Sequence, residues 1–512
     1  MAQIAVIGAG MGAMAAAARL ATAGHQVAVY ERTSTYGGGV RRFERAGFGF
    51  DTGPGLLHLP AVQRDLFIKT GRKPLEQCVS LTTVDPAARH LFPDGTEVAL
   101  PNASQAGVTA ALDAALGHGT GDRWAAMLGR GRAAWDATRR PLLEEPLAAD
   151  WRAAGLGDDP YPPVTGRRGL LRRRHQQRSR RLAEIGEHEL ADPRLAALLE
   201  SQALAHGFDP RTAPASAAVL PYMEQTFGAW YVHGGIRALA TAVYERCLER
   251  RVSFTFDAPV AALVRKEDGV AGLELADGTV VDADAVVAGV SPGRLDALGA
   301  EDAADDPGDQ GSEPEADAQV GMPGRVVVCL ALHGTRPADA AHRTVVHTPD
   351  RAAELDWIFR RGPLTTAAPT VTVLRPDDPT QRPDDDHEAV TLTATAPDWN
   401  WSEPGVAEDF ADRMQQAAAA ALPGLAERIL WREVRTPADT EAETGAGGGA
   451  VPGPALAGAR GAYLVQRNAT RLPGLYAVGG WSHPGGGLAH AGMSGTLVAG
   501  LITEGADFRG SQ

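Results

Sequence analysis

The first thirty residues hold the feature that most constrains the fold of this chain. The segment "QIAVIGAG" is typical of a buried strand that ends in a glycine turn, "MGAMAAAARLATAG" of a helix, and "HQVAVYE" of a second strand. Strand, helix and strand in this order form the repeating unit of a parallel nucleotide-binding sheet. The sequence therefore predicts an α/β fold that begins with such a unit.

The turn after the first strand has the pattern of a dinucleotide site. Gly8, Gly10 and Ala13 occupy the small-residue positions of a GxGxxG/A motif. Glycine permits the tight turn and the close approach of a pyrophosphate, and a small third residue lets the helix pack on the sheet. Glu31 ends the second strand about 20 residues later, where a carboxylate accepts hydrogen bonds from ribose hydroxyls. These residues predict dinucleotide binding but do not separate NAD from FAD.

A second glycine-rich segment lies near the C-terminus. Residues 478–495 read "VGGWSHPGGGLAHAGMSG" and run directly into "TLVAGLI", an apolar stretch that is typical of a helix. Glycines let backbone N–H groups approach a ligand without a Cβ in the way. The start of a helix also carries a partial positive charge that favours anions.

Motifs spread along nearly the whole chain resemble those of one known family. The chain is similar to the phytoene-desaturase family of flavin-dependent carotenoid desaturases, within the larger amine-oxidase-like group. The resemblance is carried by "GGG" at 37–39, "GFGFDTGP" at 47–54, "WYVHGG" at 230–235, "GLELADG" at 272–278, "TPAD" at 436–439 and "LYAVGGWSHPGGG" at 475–487.

The resemblance implies that the cofactor is FAD and that both ends of the chain hold it. In such proteins the last strand returns to the nucleotide-binding sheet, and the C-terminal helix points its N-terminus at the flavin. The motif and the resemblance together predict the following residues at the FAD site, with Arg41 as a candidate only: Gly8, Gly10, Gly12, Ala13, Glu31, Gly37, Gly38, Arg41, Asp51, Gly53, Val260, Gly479, Gly480, Gly486, Gly487 and Met493.

The segment after the paired glycines departs from the family pattern. Family members usually carry an arginine directly after the pair, where it contacts the pyrophosphate, whereas this chain has Gly39. Arg41 and Arg42 follow closely, and either one is a candidate to supply the missing positive charge.

The predicted architecture is a discontinuous FAD-binding domain of the doubly wound, Rossmann-like type with a mixed β/α substrate lobe. The FAD domain is expected to combine residues 1–100, 231–300 and 461–512. Residues 101–230 are expected to form the helical part of the substrate lobe, and 320–460 its remaining part. Residues 301–319 are acidic and poor in apolar side chains, which predicts a disordered insertion.

The composition excludes several classes of protein. A formal net charge of −14 argues against a nucleic-acid-binding surface, which needs a basic face. Cys78, Cys247 and Cys329 lie far apart and show no zinc-site spacing, so neither a metal site nor a disulfide framework is expected. The chain has no signal-peptide pattern and no stretch of about 18 apolar residues. We therefore expect a cytoplasmic protein.

The sequence offers candidates for proton transfer but no clear catalytic base. His233, His483 and His490 lie in glycine-rich segments that should border the flavin, and Glu224 lies in "PYMEQTFGAWY". Each has an alternative structural role, such as a hydrogen bond from the His483 ring to the backbone or a solvated position for Glu224.

Two further segments bear on the substrate. Tyr222, Phe227, Trp230 and Tyr231 are predicted either to line a tunnel for a polyene or to pack in the core. The basic run Arg167–Arg181 is predicted either to dock the protein on a membrane or to form a solvated charged face.

The sequence thus predicts an FAD-dependent oxidoreductase that desaturates C–C bonds of a hydrophobic isoprenoid or polyene such as phytoene. Two alternatives stay open at this point. One is a tailoring oxidoreductase, saturase or isomerase of a secondary metabolite, and the other is a noncatalytic carrier of prenyl lipids. The intact glycine motifs and Glu31 disfavour the carrier. The exact substrate, the electron acceptor and the oligomeric state are not predicted.

Overall fold

A computed structural model describes residues 1–165, 176–267, 269–300, 322–363, 368–398, 401–505 and 507–510 of the chain. Two predicted segments fall largely or wholly outside these ranges. The acidic insertion expected at 301–319 lies outside the described residues, as do residues 167–175 of the basic run Arg167–Arg181.

Five parallel strands form the core sheet, which gathers segments from both ends of the chain. Ile4 lies beside Val27 on one side and Ala285 on the other, so the first strand is central. The strand order is Ser253–Thr255, Gln26–Tyr30, Gln3–Ile7, Ala285–Ala288 and Leu475–Ala477. The predicted discontinuous α/β fold class is confirmed.

Both faces of the core sheet are covered, which explains the unbroken apolar run of the first strand. Ile4 and Val6 pack with helices, whereas Ala5 and Ile7 pack with an antiparallel meander. Side chains alternate between the two faces of a strand, so a strand covered on both faces is apolar throughout. The helices are Met11–Thr22, Ile236–Glu249 and Leu488–Glu504, and the meander strands are Val260–Lys266, Gly269–Leu275 and Val280–Asp282.

A wide sheet of seven strands supports the second lobe. Its order is Ile429–Arg435, Gly324–His333, His387–Ala396, Val371–Leu374, Arg343–Val346, Ala88–Leu91 and Glu97–Leu100. The last two strands lie within the stretch 1–100 that was predicted to belong to the FAD domain. They join the wide sheet instead, because Ala88–Leu91 pairs in parallel with Arg343–Val346.

Helices complete the second lobe around a separate apolar core that includes Leu112, Met127, Leu198 and Leu220. The longer ones in this part are Gln105–Leu116, Thr120–Arg139, Pro193–Ala205 and Val219–Phe227. Elsewhere the helices are Ala61–Thr70, Leu182–Ile185, Pro292–Leu295, Arg351–Arg360, Val406–Ala418, Leu425–Arg428 and Pro437–Thr444. Within the described ranges, no helix is both long and apolar enough to span a membrane.

Short strands connect the two lobes. A small sheet places Leu57–His58 beside Ala229–Val232, which also pairs with Leu81–Thr83. A hairpin is formed by Arg42–Arg45 and Phe48–Asp51, and a two-residue pair by Val164–Thr165 and Gln176–Gln177. The small sheet therefore brings His58 next to the start of the strand that follows Phe227.

Candidate cofactor and active site

The two glycine-rich segments meet in space, although more than 460 residues of sequence separate them. A Cβ added at Gly12 would lie 2.8 Å from the Cα of Gly479 and 2.8 Å from the carbonyl oxygen of Ala491. A Cβ at Gly495 would lie 2.6 Å from the carbonyl oxygen of Gly12. The first helix and the C-terminal helix therefore pack at a backbone-to-backbone distance that only glycine allows at these positions.

Beside this contact, other glycines face open space. A Cβ at Gly10, Gly39 or Gly479 would meet nothing within 4 Å. Gly10 lies against the 37–39 loop, since Gly37 donates to the carbonyl oxygen of Ala9 over 2.8 Å and a Cβ at Gly38 would lie 3.1 Å from the Cα of Gly10. The open sides of these glycines form a cradle that fits the pyrophosphate of a dinucleotide.

The glycine turn itself has the predicted geometry. Gly8 has a φ of +87°, in the left-handed region, and its N–H donates to the carbonyl oxygen of Tyr30 over 2.8 Å. Ala13 is buried against Gly289, where an added Cβ would come within 3.2 Å of the Ala13 methyl carbon. A larger side chain at Ala13 would push the helix off the sheet.

Glu31 is placed to bind a ribose. Its Oε2 accepts from the Ala9 N–H over 2.8 Å, and its Oε1 accepts from the Thr33 N–H over 2.9 Å. Oε1 also accepts from the Thr33 hydroxyl over 2.9 Å. A carboxylate has about four acceptor positions, so one is left for a ribose hydroxyl. Val260 is buried at the start of the meander, and the nearby Ala258 N–H donates to the Glu31 carbonyl oxygen.

Arg41 and Arg42, the two candidates to replace the arginine that family members usually carry at position 39, point in different directions. Arg41 turns toward the cradle, where its Nε donates to the Gly38 carbonyl oxygen over 2.8 Å and its Nη2 to Thr33 Oγ1 over 3.2 Å. Arg42 turns the other way and donates to the carbonyl oxygens of Gly234 and Thr380. Arg41 is thus the arginine placed near Glu31, the predicted ribose ligand.

Asp51 and Gly53 hold the segments around the cradle in place. The Asp51 carboxylate accepts from the backbone N–H groups of Ile236 and Arg237, at 2.8 and 3.3 Å, and so caps the helix that begins there. Burial raises the pKa of Asp51 to about 6, against the effect of these hydrogen bonds. A Cβ at Gly53 would lie 2.1 Å from the Gly39 carbonyl oxygen, so this glycine permits the close approach of the two loops.

Arg237 is a residue of this site that the sequence analysis missed. Its Nη1 donates to the carbonyl oxygens of Tyr36 and Val40, at 2.5 and 3.2 Å, and its Nη2 to Thr35 Oγ1. The guanidinium also stacks over the Tyr36 ring at 4.2 Å. Arg237 therefore fixes the 35–40 loop, and no local motif signals this role because its partners lie about 200 residues away.

The C-terminal glycines shape the loop that leads into the last helix. A Cβ at Gly486 would lie 1.8 Å from the Pro452 carbonyl oxygen, and one at Gly480 would lie 3.0 Å from the Pro452 ring. Gly487 is the last residue before the helix Leu488–Glu504, and Met493 lies buried in its second turn. Close packing against Pro452 therefore explains why glycine is needed at positions 480 and 486.

His483 has a structural role in this loop. Its ring is fully buried, and its Nε2 bonds to the Glu145 carbonyl oxygen over 2.9 Å. Burial lowers the pKa of His483 to about 4. The ring is therefore neutral at pH 7 and holds the loop against the end of the helical lobe.

His490 lines a small apolar cavity, part of which opens to solvent. The cavity lies between the helical lobe and the C-terminal helix, and its lining includes Trp135, Leu142, Val219, Leu220, Met223 and Leu456. The hydroxyls of Thr138 and Ser216, which also line it, donate to backbone carbonyl oxygens. Burial lowers the pKa of His490 to about 3, so this ring is neutral as well.

The other two candidates for proton transfer lie elsewhere. His233 is exposed and its Nε2 bonds to Thr82 Oγ1 over 2.7 Å. Glu224 forms an ion pair with both Nη atoms of Arg343. Burial is the largest single influence and would raise the pKa of Glu224, but the charge and hydrogen bond of Arg343 together with the nearby His58 and His90 outweigh it and hold the pKa at about 2. Glu224 is thus ionised.

The predicted aromatic cluster does not form one surface. Phe227 packs edge-on against Trp135 with ring centroids 5.8 Å apart, next to the apolar cavity. Tyr231 instead donates its hydroxyl to Asp378 over 2.8 Å. Residues 229–232 form a strand, so neighbouring side chains point to opposite faces. Only part of this aromatic group therefore lies beside the cavity.

Comparison with known proteins agrees with this arrangement. Residues 14–503 match the profile of the family described as flavin containing amine oxidoreductase. The chain belongs to this family. It is an FAD-dependent oxidoreductase, and FAD is its cofactor, as the resemblance predicted.

Individual relatives support the predicted resemblance to phytoene desaturases, which is confirmed. The chain is 28% identical over 509 residues to a 4,4'-diapolycopene oxygenase of Methylomonas, covering 97% of both chains. It is 32% identical over 288 residues to a zeta-carotene-forming phytoene desaturase of Myxococcus xanthus, covering 56% of this chain and 52% of the relative. A solved oxidoreductase from Methanosarcina mazei shares the fold with a TM-score of 0.61 at 15% identity, covering 97% of this chain and 99% of that one.

The assignment of individual residues to FAD stays a prediction. In the described part of the chain, no three or more His, Cys, Asp or Glu side chains are grouped to hold a metal ion. The glycine cradle and Arg41 are the features of the site that fit FAD best.

Proposed function

We propose that the chain desaturates C–C bonds of a hydrophobic isoprenoid polyene. The apolar cavity beside the C-terminal helix carries this proposal, because it lies next to the helix whose first turn borders the glycine cradle. Its lining is dominated by aliphatic and aromatic side chains, which suits a hydrocarbon chain. Both relatives above are named for oxidation of polyenes.

The residues of the chain bind and orient the substrate in this reaction. FAD, when bound, supplies the two-electron acceptor. Trp135, Val219 and Met223 hold the polyene and exclude water from the reacting carbon. His490 is the one of the four predicted proton-transfer candidates that lines the cavity. Because its pKa lies near 3, it donates or accepts a hydrogen bond but retains a proton poorly at pH 7.

The cofactor and the activity are tested with one substitution and a matched control. Gly10→Val should abolish FAD binding without a clash inside the protein, because a Cβ at Gly10 meets no protein atom within 4 Å. Gly129→Val is the control, since that glycine is equally open but lies on an exposed helix surface. The measurements are the visible absorbance and the flavin released from each purified protein.

The substrate class is tested by co-expression with a pathway that produces phytoene. Wild-type protein should shift the pigment spectrum to longer wavelengths, because each added double bond extends the conjugated system, and Gly10→Val should not. An unchanged spectrum with flavin-loaded wild type would refute the polyene substrate. A colourless wild type that FAD cannot reconstitute would refute the site itself.

A membrane surface is the proposed source of such a substrate. A long hydrocarbon gains about 0.8 kcal/mol per buried CH₂ group and is therefore held in lipid. The basic run Arg167–Arg181 supports contact with anionic lipid, at up to about 1 kcal/mol per arginine. Wild type should float with anionic vesicles at low salt, and a variant with Arg172, Arg173 and Arg174 changed to Gln should float less. Equal flotation of the two proteins would contradict this role.

A further inference from the structure

A buried network of polar side chains lies behind the turn at residues 479–482 and has no part in the function proposed so far. Ser494, in the second turn of the C-terminal helix, is fully buried, and its Oγ accepts from the Gly479 N–H over 3.0 Å. Asn468 and Ser482, each 1% exposed, bond to the same oxygen at 3.1 and 3.2 Å. Three segments of the chain therefore meet at Ser494 Oγ.

The chemistry of the partners fixes the direction of each hydrogen bond. Asn468 Nδ2 lies 2.7 Å from the His483 carbonyl oxygen, which can only accept, so this atom is the amide nitrogen. Ser494 Oγ therefore accepts from Asn468 as well as from Gly479. The hydrogen of the Ser494 hydroxyl is left for Ser482 Oγ. Ser482 in turn donates to the Gly479 carbonyl oxygen over 3.3 Å.

The network thus holds both polar groups of Gly479 inside the protein. Its N–H is bonded to Ser494, and its carbonyl oxygen accepts from the hydroxyl and, over 3.2 Å, from the N–H of Ser482. Gly12 limits the turn on another side, since a Cβ at Gly12 would lie 2.8 Å from the Gly479 Cα. The side of Gly479 on which a Cβ would meet nothing within 4 Å is the side that faces the cradle.

Glycine at the start of this turn makes such restraints necessary. Gly479 has a φ of +100°, and glycine reaches many other backbone conformations at little cost. Gly480 follows it, so the turn has little stiffness of its own. Asn468 restrains the chain before and after the turn, because its Nδ2 also bonds to the carbonyl oxygens of Ala477 and His483. The turn therefore depends on this network for its shape.

We infer that Ser494 is a positioning residue for FAD, whose hydroxyl fixes the Gly479 side of the cradle. Ser494 acts through Gly479 and does not touch the cofactor, because it is fully buried beneath the turn. Without the hydroxyl, the Gly479 N–H either stays buried without a partner or rotates toward water, and both are unfavourable for the bound state. Binding of FAD would then have to restore the conformation that Ser494 maintains in the wild type.

The test measures FAD affinity and protein stability separately. FAD is titrated into apo-protein and followed by flavin fluorescence, and the stability of the apo-protein is measured by urea unfolding. Ser494→Ala should raise the dissociation constant for FAD at least about tenfold, because an unpaired buried donor is costly and the cavity left by one oxygen is small. None of these readouts depends on the substrate.

Two variants of the same helix separate positioning from general stabilisation. Thr496→Val removes a buried hydroxyl that bonds only within the helix, to the Gly492 carbonyl oxygen over 3.2 Å, and should leave FAD affinity unchanged. Ser494→Thr keeps the acceptor oxygen but adds a methyl group to a packed site. It should lower the stability of the apo-protein while FAD affinity stays close to that of the wild type.

Affinity should therefore follow the presence of a hydroxyl at position 494 and not the stability of the apo-protein. Wild-type affinity in Ser494→Ala, or losses of affinity that parallel the losses of stability in all three variants, would overturn the inference. If a substitution at 494 fails to fold, Ser482→Ala replaces it. Ser482 keeps its N–H bond to the Gly479 carbonyl oxygen, so this variant should weaken FAD binding while Thr496→Val does not. Unchanged affinity in Ser482→Ala would then overturn the inference.

Discussion

Loss of Arg41 should weaken FAD binding, whereas loss of its neighbour Arg42 should not. Among the described residues, Arg41 uses Nε and Nη2 for hydrogen bonds to Gly38, Thr33 and Glu443, and no bond is made by Nη1. A guanidinium has five N–H groups, so the two on Nη1 stay available to a phosphate. Its position beside the glycine cradle makes the pyrophosphate the natural acceptor.

The expected size of the effect follows from one charge-assisted contact. Such a hydrogen bond contributes about 1.5–3 kcal/mol. At 1.4 kcal/mol per factor of ten, Arg41→Ala should raise the dissociation constant for FAD by about 10- to 150-fold. The assay is titration of FAD into apo-protein, followed by flavin fluorescence, at fixed ionic strength because screening weakens the contact.

Two variants control this measurement. Arg42→Ala removes an equal charge one residue away, but Arg42 bonds to Gly234 and Thr380 and should leave the FAD affinity within about twofold. Gly39→Arg restores the arginine that the family usually carries, at a position where a Cβ meets nothing within 4 Å. In the Arg41→Ala background it should recover affinity. Equal losses in Arg41→Ala and Arg42→Ala, or no loss in either, would refute the assigned role.

Three further predictions concern stability and pH. Gly495→Val should destabilise the protein by about 1–3 kcal/mol or more, measured by urea unfolding, because its Cβ would meet the backbone of the first helix at 2.6 Å. Glu388→Gln should cost about 3–5 kcal/mol in the same assay, since it leaves two arginines near a buried site without their shared carboxylate. Burial lowers the pKa of His483 to about 4, below its value in the unfolded chain. The neutral ring therefore contributes fully to the free energy of unfolding above pH 6.5, and this contribution is lost as the pH falls toward 4. His483→Gln should therefore reduce the fall in melting temperature between pH 6.5 and 4.5, and an unchanged pH profile would contradict this.

Local sequence was enough to predict the first strands of the core sheet and a dinucleotide site. The strand around Ile4 and the turn at Gly8 follow rules that act within a few residues, and both have the expected geometry. The fold class depended on these local signals and on motifs that occur in a fixed order. It could therefore be read from the sequence without knowing any long-range contact.

Interactions between distant segments could not be predicted in the same way. Arg343 pairs with Glu224 across 119 residues because the wide sheet places its strand beside Ala88–Leu91. No local pattern joins these strands, and the predicted FAD segment 1–100 included residues 88–100, which pair with the wide sheet. As a consequence, Glu224 was predicted only as a candidate for proton transfer or a solvated residue, and its ion pair with Arg343 was missed.

The glycines show most clearly what the sequence leaves undetermined. Gly10 and Gly12 lie two positions apart in the same motif, yet a Cβ at Gly12 would strike Gly479 while a Cβ at Gly10 would enter the open cradle. Both requirements produce a glycine, so sequence alone cannot distinguish packing from ligand contact. The distinction has a measurable consequence. Substitution at a crowded glycine should lower the stability of the apo-protein, whereas substitution at an open one should lower FAD affinity and leave the apo-protein stable.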